Sequence, residues 1–274
     1  MAGEVISMEI VKADKDQLVV AIEAATGRLC AVLRSVSNPD VLAVGTWSVR
    51  DVAAHLASGV PLYTGIVRGE GSTYTRLDGM AEFNAAGVAA ITDRDCTALA
   101  DRIESAVAEF VAAVRTTPGD PEVAWHAGIS LPVSSVTATL LGEVLIHGYD
   151  IAQASRQPWL IPPTHAGLVF SGALPMLPYF VNHAAAAGVR ASFDLRLRDK
   201  DSPRVRLAFD DGTLDVASGP AEPVDCHLSA DPTAFLLVMY GRQGPLRPAL
   251  TGKVVAWGRK PWLAFRMPSL LQRP

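Results

Sequence analysis

The 274-residue sequence predicts an all-α N-terminal domain, organised as a four-helix bundle, followed by a small α+β domain with an antiparallel or mixed sheet. Two observations carry this expectation. Apolar residues recur at steps of three and four through the first two-thirds of the chain, and beyond about residue 190 the step becomes two. The length suits two domains of ordinary size, 1–188 and 189–274, with the boundary between residues 185 and 191.

The first helix opens on Asp14 and Gln17, spaced as in a capping box, and carries Leu18, Ile22, Ala25, Leu29, Val32, Leu33 and Val36 before "SNPD" stops it. Ser48 and Asp51 open a second helix with Val49, Val52, Leu56 and Val60 on one face, a kink expected at Pro61, and an end at "RGEGS". A shorter helical segment runs through "MAEFNAAGVAAI". Thr92 and Asp95 then begin a helix whose stripe is Leu99, Ile103, Val107, Phe110, Val111 and Val114, closed by "TTPGD". A further helix spans about Pro132 to Ala154, and after "RQPWLIPPTH" another helical run continues to about Ala187.

The change of period follows. In "SFDLRLRD" and "RVRLAF" apolar and polar residues alternate, as on strands with one buried face. "FDDGT" turns the chain into "LDVAS", and "DCHLSA" makes a fourth strand. Asp231 followed by Pro232 reads as an N-cap with proline at the first helical position, opening "TAFLLVMYG".

Composition excludes several function classes. Hydrophobic residues make up 49% and charged residues 19%, enough for packed cores and against global disorder. The net charge is −4 with a pI near 5.9, and no basic run tracks a phosphate backbone, so nucleic acid is not an expected partner. Cys30, Cys96 and Cys226 lie far apart with no C-x-x-C pair, which argues against a disulfide framework or a thiolate zinc site. The N-terminus lacks a secretory pattern and no run of about eighteen apolar residues occurs, so a cytoplasmic protein without a membrane partner is expected.

One helix departs from pure packing. "LLGEVLIHGYDIA" sets Glu143, His147 and Asp150 into a run that otherwise buries Leu140, Leu141, Val144, Leu145 and Ile151. Residues four apart share a helix face, so Glu143 and His147 point the same way and can share one metal ion. A catalytic zinc normally takes three protein ligands, and the third must come from a facing helix. His55 in "TWSVRDVAAHLASG", itself inside an apolar stripe, is the leading candidate, with His126 in "EVAWHAG" the alternative. The competing explanation for an E-x-x-x-H pair is a helix-surface contact worth about 0.2–0.5 kcal/mol. Asp150 and Asp51 suit either hydrogen bonds to the imidazole nitrogens facing away from a metal or plain capping.

"TWSVRDVAAHLASG", "FNAAGVA" and "LLGEVLIHGYDIAQA", in this order, resemble the successive motifs of the mycothiol-dependent maleylpyruvate isomerase family. The resemblance implies a DinB-like metal-binding bundle whose zinc ligands match His55, Glu143 and His147, with Asn84 at a cofactor-binding position. It also implies a C-terminal domain related to sterol carrier protein type 2, in which "FLLVMYGR" places a catalytic arginine at Arg242. The implied chemistry is that of a metal-dependent isomerase or S-transferase using mycothiol, with a small thiol and an electrophilic substrate as its partners. A lipid- or small-ligand-binding protein, or a regulatory protein without turnover, is the alternative on the same scaffold.

Overall fold

The structure is a computed structural model that describes residues 13–72, 79–219 and 223–272. It divides into two compact units, one of residues 13–161 and one beginning at Pro162. The first twelve residues lie outside the described part.

The N-terminal unit is built from α1 (Lys15–Arg34), β1 (Leu42–Val44), β2 (Trp47–Ser48), α2 (Val49–Val67), α3 (Met80–Ala90), α4 (Cys96–Thr116), β3 (Glu122–Ala124), β4 (Ser130–Pro132) and α5 (Val133–Ala154). The helices α1, α4, α2 and α5 form a closed ring of neighbours, α1 and α2 each packing on both α4 and α5, while α3 lies on α2. Leu18, Ile22, Leu29, Leu33, Leu99, Ile103, Phe110, Leu140 and Leu141 are fully or almost fully buried, so the stripes read from the period meet in one core.

The caps explain where these helices begin. The Asp14 carboxylate accepts from the Gln17 N–H. At α2 the box is complete, with Ser48 Oγ accepting from the Asp51 N–H and the Asp51 carboxylate accepting from the Ser48 N–H. Asp95 rather than Thr92 caps α4, because its carboxylate takes the N–H groups of both Thr97 and Ala98. The hairpins β1–β2 and β3–β4 have strands of only two or three residues, too short for a period to register.

The C-terminal unit starts earlier than the expected residue 189. Pro163 opens α6 (Pro163–Ala173), but Pro175 and Pro178 convert the continuation into a 3-10 stretch, Leu174–Phe180, before the short α7 (His183–Ala186). Phe170, Leu174, Val181 and Ala186 belong to the same core as Phe193, Leu195, Val205 and Leu228 of the sheet. The boundary therefore falls at Ile161/Pro162, and the trailing helical run belongs with the strands.

The sheet comprises β5 (Arg190–Leu197), β6 (Arg204–Asp210), β7 (Thr213–Ser218) and β8 (Cys226–Ala230), followed after α8 (Pro232–Met239) and α9 (Leu246–Leu250) by β9 (Val254–Trp257). Its order is β7-β6-β5-β8-β9, antiparallel except for the parallel pair β5–β8, and α10 (Leu263–Arg266) follows it. Phe193, Leu195, Leu207, Phe209 and Leu228 face the core. On the opposite face the buried Asp194 carboxylate takes two bonds of 2.6 Å from Arg204 and one of 2.7 Å from His227 Nδ1.

Burial alone would raise the Asp194 carboxyl, but the hydrogen bonds from Arg204 and His227 outweigh it and hold the group below its ordinary value of 3.8. A depressed folded-state value stabilises fully above the unfolded value and is lost as the pH falls through the folded one. Acid titration of the unfolding free energy should therefore show stability declining below about pH 4, with part of that slope missing in Asp194→Asn. An identical acid profile for the variant would show that the network carries no stability.

Candidate metal centre

α2 and α5 face each other, and each brings polar groups to the seam. From Val133 to Gly148 of α5 only Thr139, Glu143 and His147 are not buried, a line of positions four apart that forms one open stripe in an otherwise packed helix. His55 sits on the second turn of α2. Its Nε2 lies 3.2 Å from Glu143 Oε2, and His147 Nε2 lies 3.2 Å from the same oxygen. One ligand atom from each of the three residues falls within 4.8 Å of the others, and among the described residues this is the only such group.

The donor set fits a divalent metal. Bonds of about 2.0–2.1 Å in tetrahedral directions put neighbouring ligand atoms about 3.3 Å apart, close to the two His–Glu separations. His147 Nδ1 lies 3.2 Å from the buried Asp150 carboxylate, which fixes the ring and presents Nε2 to the site. The His55 and His147 rings stand edge to face at 5.0 Å, and Trp47 packs on His55 at 5.2 Å. Two neutral imidazoles and one carboxylate would leave a bound divalent cation with a net charge of about +1 and an open position.

The electrostatics follow from these contacts. Burial would raise the Glu143 carboxyl, but the His147 and His55 imidazoles hold it well below the usual carboxylate range. Burial would likewise lower His147, yet the carboxylates of Asp150 and Glu143 raise it.

The remaining candidates separate. His126 is buried in the β3–β4 hairpin, 2.5 Å from Ser72 Oγ and packed on Trp125, outside the three-residue cluster. Burial pushes its imidazole down to about 4. Asp51 is consumed by the α2 cap and by an ion pair with Arg94 at 2.9 Å, so capping is its job. Asn84 is half-buried on α3. Gly87, one turn further along α3, approaches Ser58, which lies one turn beyond His55.

Arg242 belongs to the C-terminal unit, and the residue before it explains its placement. Gly241 takes φ +71°, Gly241 N–H donates to Val238 O at 3.0 Å, and Arg242 N–H donates to Leu237 O at 2.8 Å. These two bonds close α8 as a Schellman cap, which needs glycine at the left-handed position. The Arg242 guanidinium is half-buried and donates to Tyr240 O.

Three contributors escape a reading of spacing alone. Thr139 extends the open stripe, Trp47 supports the His55 ring, and Trp159 covers α5 beside His147. The last had a visible signal, a glycine in mid-helix. A Cβ at Gly148 would lie 2.2 Å from the Trp159 ring, whose Nε1 donates to Leu145 O at 3.0 Å. Gly148→Ala should therefore cost about 1–3 kcal/mol by displacing the indole, readable as a lower denaturation midpoint. An unchanged midpoint would mean that Trp159 moves aside freely. Asp150→Asn should weaken metal binding about 10–100-fold in a chelator competition, and equal affinities would remove Asp150 from the site.

Residues 19–152 match the mycothiol maleylpyruvate isomerase N-terminal domain and residues 171–265 match the MDMPI C-terminal domain. A crystal structure of the mycothiol-dependent maleylpyruvate isomerase superposes with a TM-score of 0.55 at 18% identity, covering 89% of this chain and 92% of that one. A histidine-to-alanine mutant of that enzyme superposes equally well, at 18% identity and a TM-score of 0.55 over the same shares of the two chains. A search of the curated proteins finds no match. With both domains matched in order and the fold shared over nearly its whole length, the chain belongs to the mycothiol maleylpyruvate isomerase family.

Proposed function

We propose that the protein is a metal-dependent enzyme that uses mycothiol for thiol transfer to, or thiol-assisted isomerisation of, a small electrophilic substrate. The observation that carries this reading is the convergence of His55, Glu143 and His147 on one point of the α2–α5 seam, in a chain of this family. The family's named reaction, on maleylpyruvate, is the first substrate to try.

His55, Glu143 and His147 would hold the ion, and zinc suits two imidazoles with one carboxylate. When bound, the ion supplies Lewis acidity that drives a coordinated thiol to give up its proton near neutral pH. Glu143 offsets part of the added positive charge, and Asp150 holds the His147 ring in the orientation that points Nε2 inward. Asn84 offers an amide for the cofactor's polar groups. Arg242 is permanently charged, and its guanidinium suits two-point contact with a substrate carboxylate. None of the three cysteines is needed, and each is buried.

Two measurements test this proposal. Elemental analysis of purified protein should find about one divalent ion per chain, strongly reduced in His55→Ala. Unchanged metal content in that variant would overturn the site. Metal-loaded protein incubated with mycothiol and a panel of electrophiles that includes maleylpyruvate should consume thiol or isomerise the substrate. Arg242→Lys should raise KM selectively for substrates bearing a carboxylate. No turnover across the panel by fully loaded protein would favour a binding or regulatory role.

A further inference from the structure

The charge of this chain is unevenly placed. From Pro232 to the C-terminus there are seven cations, Arg242, Arg247, Lys253, Arg259, Lys260, Arg266 and Arg273, and no acidic residue at all. Since the whole chain carries −4, the residues before Pro232 sum to −11. Such a difference between two parts of one chain points to a partner with negative charge.

The same stretch holds the apolar surface. Of the ten large hydrophobic side chains exposed among the described residues, six lie between 246 and 265: Leu246, Leu250, Val255, Trp257, Trp262 and Phe265. Trp262 is 63% exposed and Leu250 79%, although their neighbours Leu263 and Pro248 are buried, so the segment is folded and still turns these groups outward. They follow the free edge of the sheet. Val255 and Trp257 lie on the edge strand β9, Leu246 and Leu250 on α9, which packs on β9, Trp262 at the start of α10 and Phe265 on α10 itself. Between them stand cations. Arg259 and Lys260 are paired with Asp225, whereas the exposed Arg247, Lys253 and Arg266 have no acidic partner among the described residues.

We propose that the surface formed by α9, β9 and α10 docks on an anionic lipid bilayer, with Trp262, Phe265 and Leu250 entering the headgroup layer and Arg247, Lys253 and Arg266 held by lipid phosphates. Aromatic side chains favour the boundary between water and hydrocarbon, and basic groups beside them add attraction to acidic lipids, about five-fold in affinity for each cation. An acidic protein or nucleic acid would match the charge, but a phosphate backbone offers nothing to Leu246, Leu250 and Val255, and protein interfaces commonly mix both charge signs. No helix among the described residues is long and apolar enough to span a membrane, so the contact is peripheral. The sequence expectation of no membrane partner is thereby narrowed to the absence of a spanning segment.

The test is flotation of the full-length protein with vesicles. Retention is expected on phosphatidylcholine vesicles containing phosphatidylglycerol, with at least ten-fold less on phosphatidylcholine alone, and most of it should be lost when salt is raised from 0.1 to 1 M. The combined Trp262→Ala and Phe265→Ala variant should lose binding at low salt. The combined Arg247→Glu, Lys253→Glu and Arg266→Glu variant should lose it on acidic vesicles. All five positions are exposed, and unchanged thermal unfolding of both variants will show that folding is intact. Absence of retention on acidic vesicles would overturn the proposal. So would equal retention of a folded variant, tight binding to duplex DNA in place of vesicles, or a solution dimer dispersed by Trp262→Ala. None of these readouts depends on the metal or on thiol turnover.

Discussion

The fold of the N-terminal unit is organised around a carboxylate that two helices must satisfy together. Placed in the seam between α2 and α5, Glu143 would be costly if left alone, because a half-buried charge without partners loses hydration and gains nothing in return. His55 from α2 and His147 from its own helix remove that cost by meeting the same oxygen. The register of α2 against α5 is consequently fixed by chemistry as well as by the apolar stripes beside it. Trp47, Asp150 and Trp159 then act outward from this point, each restraining an imidazole or the helix turn that carries one.

Readability from the sequence varied with the range of the interaction. Glu143 and His147 were legible because their relation is local, one helical turn, and helix geometry alone puts them together. His55 was legible as a candidate because an imidazole interrupts an apolar stripe, but distinguishing it from His126 needed either the family resemblance or the fold. Capping was read well at Asp14 and Ser48, where the side chain and the N–H it accepts from lie three residues apart, and was misplaced by three residues at Thr92 because Asp95 offers the stronger acceptor.

What the period could not convey was the partner of an apolar face. The run from Pro163 to Ala186 is helical in pattern, and that pattern is the same whether the helix lies on a bundle or on a sheet. Its two internal prolines, Pro175 and Pro178, mark the point at which the chain bends to share the core of the sheet. The strand β9 went unseen for a related reason. It is four residues long on a sheet edge, half its side chains face solvent, and Val255 and Trp257 hide the alternation that exposes a strand. The fourth strand "DCHLSA" was visible, but not that it runs parallel to β5, since strand direction is decided by long connections rather than by local pattern.

The separation of the two sides of the candidate metal centre has a bearing on when it can exist. His55 and Glu143 are 88 residues apart, and no described residue between them belongs to the cluster. As the chain leaves the ribosome, α1 and α2 can each pack on α4 while the fourth wall of the bundle is still missing. At that stage one donor of the three, the His55 imidazole, stands alone beside Trp47. Only after α5 has emerged and folded back do all the donors coexist, so an ion held by them would be acquired at the final closure of the bundle and not at its nucleation.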